Sequence, residues 1–474
     1  MCERKMSFKT DIQEQINFNI EEKTGIDMPQ EEYGGSEHNL VSSTSMGEDN
    51  NIIIVEESSD PNSLAGILYV CKRKLLRPYM RFLSLMGLRP IVGETLEQHF
   101  IAKLFNFLFN LAVIFFLIIG YLLQYLSCFR RDRGFGTISP TNNSSRSQIK
   151  AIYYQTCNSS LISGLILPSL LHFAGYIYAL YVFRKGDDNQ LTVLIERVFI
   201  VSSQIPNIQI NQKHIVRTLW IFVVASFIWM LSSICLVSYM MSEGEISFRW
   251  FESSTYQTKY LLKILLVVCI IWHDIVQASV ISNYCLQVQL LKNYVQFISD
   301  KLLLQSIRPL EWIRDIEEFR KLLIYLNTQV APAVCIFTVL NWTYAISGTL
   351  WLFASQYSET KNSIPVYTAI NIFIVILWWF MAILPFIQAA RLTIACDNVK
   401  TVGQEARTRP FAHQDTPLQE LNSILIYTNS LKINARLFNL PINGKYTGIT
   451  FAVMIIFFLV LGQSNIILIK DLEF

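Results

Sequence analysis

Seven stretches of this chain are apolar and nearly free of charge: residues 104–126, 160–183, 216–240, 261–283, 329–355, 364–388 and 447–469. A helix needs roughly 20 such residues to cross the hydrocarbon of a bilayer, so each window predicts a membrane span, with tilt absorbing any excess. The helical rhythm continues past the spans. After the fourth window, Leu286, Leu290, Tyr294, Phe297 and Leu304 recur at helical spacing, with Lys292, Asp300 and Lys301 between them, which extends the helix beyond the membrane. Glu311 to Leu326 repeats the pattern ahead of the fifth window. Thr416-Pro417-Leu418-Gln419 reads as a helix start, Thr416 as N-cap and Pro417 at the first helical position. The stripe Leu418, Leu421, Leu425, Thr428 and Leu431 follows it. A helical bundle outside the membrane would cover all three apolar faces; surface helices lying on lipid headgroups are the alternative.

The polar remainder divides the chain. Residues 1–70 carry 14 acidic and 4 basic side chains and are rich in Ser, Glu, Asn and Gly. Such a segment buries too little to offset its ordering entropy, so it predicts a disordered acidic tail ahead of a membrane domain over 71–474. The tail has no apolar h-region, so no cleaved signal peptide is expected. The whole chain is 52% hydrophobic and 16% charged with a net charge of +3, the composition of an all-α polytopic membrane protein. With the N-terminus inside, the cytoplasmic segments hold 25 Lys and Arg against 10 outside. By the positive-inside rule the N-terminus and the helical extensions are cytoplasmic and the C-terminus extracellular. The expected location is the cell membrane, with several passes.

The first external loop, 127–159, holds glycosylation sequons at Asn142 and Asn143 and the cysteines Cys128 and Cys157. Of the nine cysteines, only this pair is brought together by the topology on the oxidising side, which makes it the candidate disulfide. There is no phosphate-binding glycine loop, no His-Glu-x-x-His, no Cys-x-x-Cys and no Gly-x-Ser-x-Gly. An enzyme, a metal site and a cofactor are therefore not expected. The basic residues are spread over loops rather than gathered in a stripe with stacking aromatics, which argues against a nucleic-acid partner.

The chemistry worth weighing is the polar content of the spans, because polar groups there face a cavity or a partner. Trp272, His273 and Asp274 stand together in the fourth window. They read either as ligand-recognising groups or as an interhelical hydrogen-bond network. Spans five and six add Trp342, Tyr344, Asn371 and Trp378. Aromatic walls with a few polar groups suit a small organic ligand, so Trp272, His273, Trp342, Tyr344, Asn371 and Trp378 form the predicted ligand set. Packing against lipid or other helices is the alternative for each.

In the last window, Ile456-Phe457-Phe458-Leu459-Val460-Leu461-Gly462-Gln463-Ser464 resembles the last-span signature of insect gustatory receptors, Thr-Tyr, five apolar residues and Gln-Phe, with Gln463 in its place. Thr416 to Asn443 resembles that family's cytoplasmic helix and link, and Arg81 to Ile91 its segment before span one; the likeness covers roughly residues 75–470. The resemblance implies a ligand-gated, non-selective cation channel detecting a small molecule. Its last spans would surround a central pore in a homotetramer or a heterotetramer with related subunits. The implied partners are a tastant or metabolite, permeating cations and membrane lipids. Val460, Gln463, Ser464 and Ile467 share one helical face and would line that pore. A G-protein-coupled receptor, a secondary transporter and a non-channel structural or signalling membrane protein of the same fold are the competing readings.

Overall fold

The computed structural model describes residues 76–91, 100–127, 165–185, 190–203, 208–243, 255–304, 307–358, 365–408 and 417–445, with a few single residues beside these stretches. The chain divides into Met1–Ser58 and Ser59–Phe474, and the described residues all fall in the second unit. The predicted tail, the sequons Asn142 and Asn143, the cysteines Cys128 and Cys157, and the pore positions Val460, Gln463, Ser464 and Ile467 lie outside the described residues.

A π-helical turn (Leu326–Val330), a short hairpin and ten α-helices make up most of what is described. The α-helices are α1 (Arg77–Leu85), α2 (Phe100–Ser127), α3 (Leu167–Lys185), α4 (Gln190–Ser203), α5 (Ile208–Glu243), α6 (Tyr256–Leu303), α7 (Pro309–Tyr325), α8 (Ala331–Ser358), α9 (Pro365–Thr408) and α10 (Leu418–Ser430). The two-residue strands β1 (Arg436–Leu437) and β2 (Leu440–Pro441) pair antiparallel. Among the described residues, five helical stretches are long and apolar enough to cross a membrane: Phe100–Ser127, Lys213–Tyr239, Tyr256–Leu303, Pro309–Leu350 and Ile372–Ala406. They coincide with five of the seven predicted windows. The window 160–183 corresponds to α3, which is not among the five, and most of 447–469 lies outside the described residues.

Two kinds of face explain the arrangement. On α2, Phe105, Phe107, Leu108, Leu111, Phe115, Ile118 and Leu122 point outward and exposed, as do Ile221, Val224, Phe227 and Ile228 on α5 and Phe373, Ile376 and Phe380 on α9. An apolar belt of this extent is stable against lipid, not water, and the protein is a multi-pass membrane protein. Helix α6 is the opposite case. From Val276 to Leu291 every residue is buried, including Gln277, Ser279, Asn283, Gln287 and Gln289. It packs against α2, α3, α4, α5, α7, α8 and α9, so it is the axle of the bundle. Its 48 residues make a rod of about 72 Å, more than twice the thickness of a bilayer's hydrocarbon.

The excess length of α6 is covered by α7 and α9, and α10 packs on both of these. Trp312 is fully buried and its indole N–H donates to the Ile298 carbonyl at 3.1 Å. Tyr294 packs on Phe319 at 6.2 Å and Trp312 on Tyr427 at 6.4 Å. The Tyr427 hydroxyl donates to Glu317 at 2.8 Å; burial, reinforced by that carboxylate, raises its pKa above the ordinary 10.0. Thr428, one of the predicted stripe, is buried hard against Gly403, where a Cβ would come within 2.7 Å of the threonine hydroxyl. Asn327 fastens the hairpin, donating to the Asn434 carbonyl at 3.1 Å and accepting from the Arg436 amide at 2.9 Å. Phe438 and Asn439 turn the hairpin with φ of 54° and 61°, the geometry of a two-residue I′ turn.

One local expectation is corrected, and two helical stretches go beyond what was expected. Helix α10 starts one residue later than predicted: Pro417 is the N-cap, its φ of −56° joined to an extended ψ of 137°. Helix α9 runs past the 364–388 window to Thr408, because Ala389, Leu392, Cys396, Val399 and Ala406 keep a buried stripe going. The stretch 190–203 forms α4, with Leu194, Ile195, Val198 and Phe199 buried.

Candidate functional site

Six helices send polar or aromatic side chains to one place inside the bundle. Asp274 of α6 is fully buried, with Arg131 on one carboxylate oxygen and the Ser233 hydroxyl of α5 donating to the other at 2.7 Å. Arg131 lies in the chain after α2 and is 5% exposed. Its guanidinium stands over the indole of Trp378 on α9, 5.3 Å from the ring centroid, within reach of a cation–π attraction. Tyr344 of α8 packs on the same indole at 4.7 Å and Trp229 of α5 edge-on at 6.0 Å. Burying a lone carboxylate in this interior would be costly; the ion pair and the hydroxyl make it tolerable.

A histidine layer adjoins this pair. The Tyr121 hydroxyl donates to His172 Nδ1 at 2.6 Å, and Tyr121 stacks on His273 at 4.5 Å. Gln124 donates to His273 Nδ1 at 3.1 Å. His172 Nε2 faces the His273 carbonyl at 3.1 Å and His273 Nε2 faces the Leu117 carbonyl at 3.3 Å. Since carbonyls only accept, both rings are assigned as Nε2–H tautomers, with Nδ1 accepting. The approach of α2 to α6 depends on Gly120, where a Cβ would meet the His273 ring at 2.8 Å. One step along α6, Gln277 donates to Asn341 at 2.5 Å. Gln277 Oε1, Asn341 Nδ2, Tyr284 Oη and Arg131 Nε are buried with no hydrogen-bond partner among the described residues.

The predicted ligand set is thereby divided. Tyr344 and Trp378 touch, and His273 lies in the adjoining layer next to Asp274. Trp272 turns away, edge-on to Phe116 at 5.7 Å, and Trp342 packs on Trp379 and Phe386 at 6.1 and 6.2 Å. Helical geometry is the cause: neighbours on a helix diverge by about 100° and residues two apart by about 200°. Asn371 belongs to α9, and its side chain lies outside the description. Sequence reasoning missed Arg131, Ser233, Tyr121 and Gln124. A buried Asp calls for a cation, but Arg130, Arg131 and Arg133 all stand near the end of α2, and only the fold chooses among them.

The cluster offers a carboxylate, a hydroxyl, two imidazoles, amides and indole faces, the donor and acceptor mix that recognises a small organic molecule. Two further spaces lie elsewhere. One is a crevice of about 40 Å³ beside Leu83, Arg89, Asn283 and Gln287. The other is an open groove of about 500 Å³ beside Ile228, Leu231, Cys235, Tyr239 and Phe373.

No protein-family model and no curated protein matches this sequence. Solved structures do. The insect olfactory receptor OR5 from Machilis hrabei in complex with eugenol aligns at 13% identity and a TM-score of 0.53, over 84% of this chain and all of that one. The same receptor in a second structure aligns at 14% identity with the same score and coverage. The match is to a receptor and not to an enzyme. At this identity the likeness is one of fold: the chain has the fold of that olfactory receptor.

Proposed function

We propose that this protein is a gustatory-type chemoreceptor subunit, a ligand-gated non-selective cation channel that opens when a small organic molecule binds in the core of its helix bundle. The observation that carries the reading is the alignment along the full length of OR5, a receptor solved with eugenol bound. It is joined to a buried cluster in which six helices of this chain meet around Asp274, His273, Tyr344 and Trp378. Under this reading the N-terminus and the α7–α10 end are cytoplasmic, and four copies, identical or related, place Val460, Gln463, Ser464 and Ile467 around a shared axis. Rings of Val and Ile can close such a path by dewetting, and rings of Gln and Ser replace part of an ion's water shell.

Full-length protein expressed in cells and screened with small organic molecules tests this directly. The expected result is a ligand-dependent cation current whose conductance changes in Gln463→Glu. An epitope tag at residue 1 should stain only after permeabilisation, and images of purified protein should show four subunits about one axis. A monomer, or surface staining of the tag in intact cells, overturns the reading.

A further inference from the structure

Arg131 sits where a ligand would. Its guanidinium has a carboxylate on one side, Asp274, whose second oxygen is held by Ser233, and the indole face of Trp378 at 5.3 Å on the other. Asp274, Ser233 and Trp378 are each at most 3% exposed, and they come from α6, α5 and α9, so the cage is assembled by the bundle itself. Arg131 is not on any of these helices. It reaches the cage from the chain after α2, and its own Nε is buried with no hydrogen-bond partner among the described residues. A carboxylate opposed to an aromatic face is the recognition chemistry of an organic cation.

We infer that the Asp274–Ser233–Trp378 cage is a binding site for a small planar organic cation of the guanidinium or amidinium class, and that Arg131 is its tethered occupant. An entering cation must displace that side chain, so the site is self-occupied at rest. The inference rests on reading the core as the ligand site and names the class of ligand.

The test uses purified full-length protein and the probe methylguanidinium at low millimolar concentration, with urea as the neutral planar control. Arg131→Ala should melt at a lower temperature than the parent, and methylguanidinium should restore at least half of the loss with a saturable dependence. Urea should restore none of it. In Arg131→Ala/Asp274→Asn the response should disappear. If Arg131→Ala fails to fold, methylguanidinium in the growth medium should return it to the cell surface, and Arg131→Gln should show the melting response. The inference is overturned if neither variant responds, or if the response survives loss of the Asp274 charge. The readout is stability rather than current: a silent channel that still binds methylguanidinium contradicts only the proposed gating, and a conducting channel with no response contradicts only the cage.

Discussion

Trp312 at the α7–α10 end and Asp274 between the spans are both fully buried, but by different means. Trp312 gives one N–H to the Ile298 carbonyl and packs its ring on Tyr427. Asp274 is held by Arg131 and Ser233, and groups around it keep buried atoms with no partner among the described residues. A region closed with apolar packing has little left to offer a ligand. A region closed with charge and hydrogen bonds holds groups that a competitor can take over. This difference sets the packing around Trp312 apart from the charged cluster around Asp274.

The largest expected effects test that contrast. Trp312→Ala should cost about 3–5 kcal/mol through cavity formation, and Asp274→Ala a similar amount, about 3–5 kcal/mol, by stranding Arg131. Thermal melts of purified protein should show both losses. Only the second should be largely recovered by a compensating change, Arg131→Met beside Asp274→Leu, because removing both charges removes the need for either. Failure of that double variant to recover would erase the distinction.

Asn327→Ala should cost about 1–3 kcal/mol, since it leaves the Asn434 carbonyl and the Arg436 amide without their partner. Hydrogen exchange should rise at 434–441 and stay unchanged at 270–280. Tyr427→Phe should cost about 1 kcal/mol by losing the hydrogen bond to Glu317. The pH dependence has a definite sign. The raised folded pKa of Tyr427 means its contribution is complete below pH 10 and falls as pH rises further, when the unfolded chain ionises first. The phenylalanine variant should flatten part of that alkaline loss. Arg197→Ala, which breaks a half-exposed ion pair to Glu318 at 3.3 Å, should change the melt by no more than about 0.5 kcal/mol.

How much of this was legible depends on what the sequence encodes locally. Five spans and the helices at 309–325 and 418–430 follow from apolar spacing, a property of each segment by itself. The extension of α6 to Leu303 was legible for the same reason. Which of three arginines meets Asp274 was not, because the choice depends on how the chain is placed after α2 and not on any local pattern. The division of Trp342 from Tyr344 could have been read from the helical angle between them. That Tyr344 meets Trp378 could not, since it depends on how α8 and α9 are rotated against each other. The hairpin escaped notice because its turn uses Phe438 rather than glycine at a positive φ, and the ring is held by stacking on Phe386 at 6.2 Å.

Between α7 and α8 the chain passes through a π-helical turn, Leu326–Val330, which holds one residue more than an α turn would. Across it the two helices remain one rod: Trp312, Ile316, Phe319 and Leu323 face inward before it, and Val334, Phe337, Asn341 and Tyr344 after it. The turn behaves as an expansion joint, taking up a surplus residue while both faces stay aligned. Slack therefore exists at this one place in the rod. Deleting Gln329 should let the turn relax to α geometry and leave Tyr344 on Trp378, whereas deleting Ile336, inside α8, has no joint to absorb it and swings Asn341 and Tyr344 about 100° out of the core.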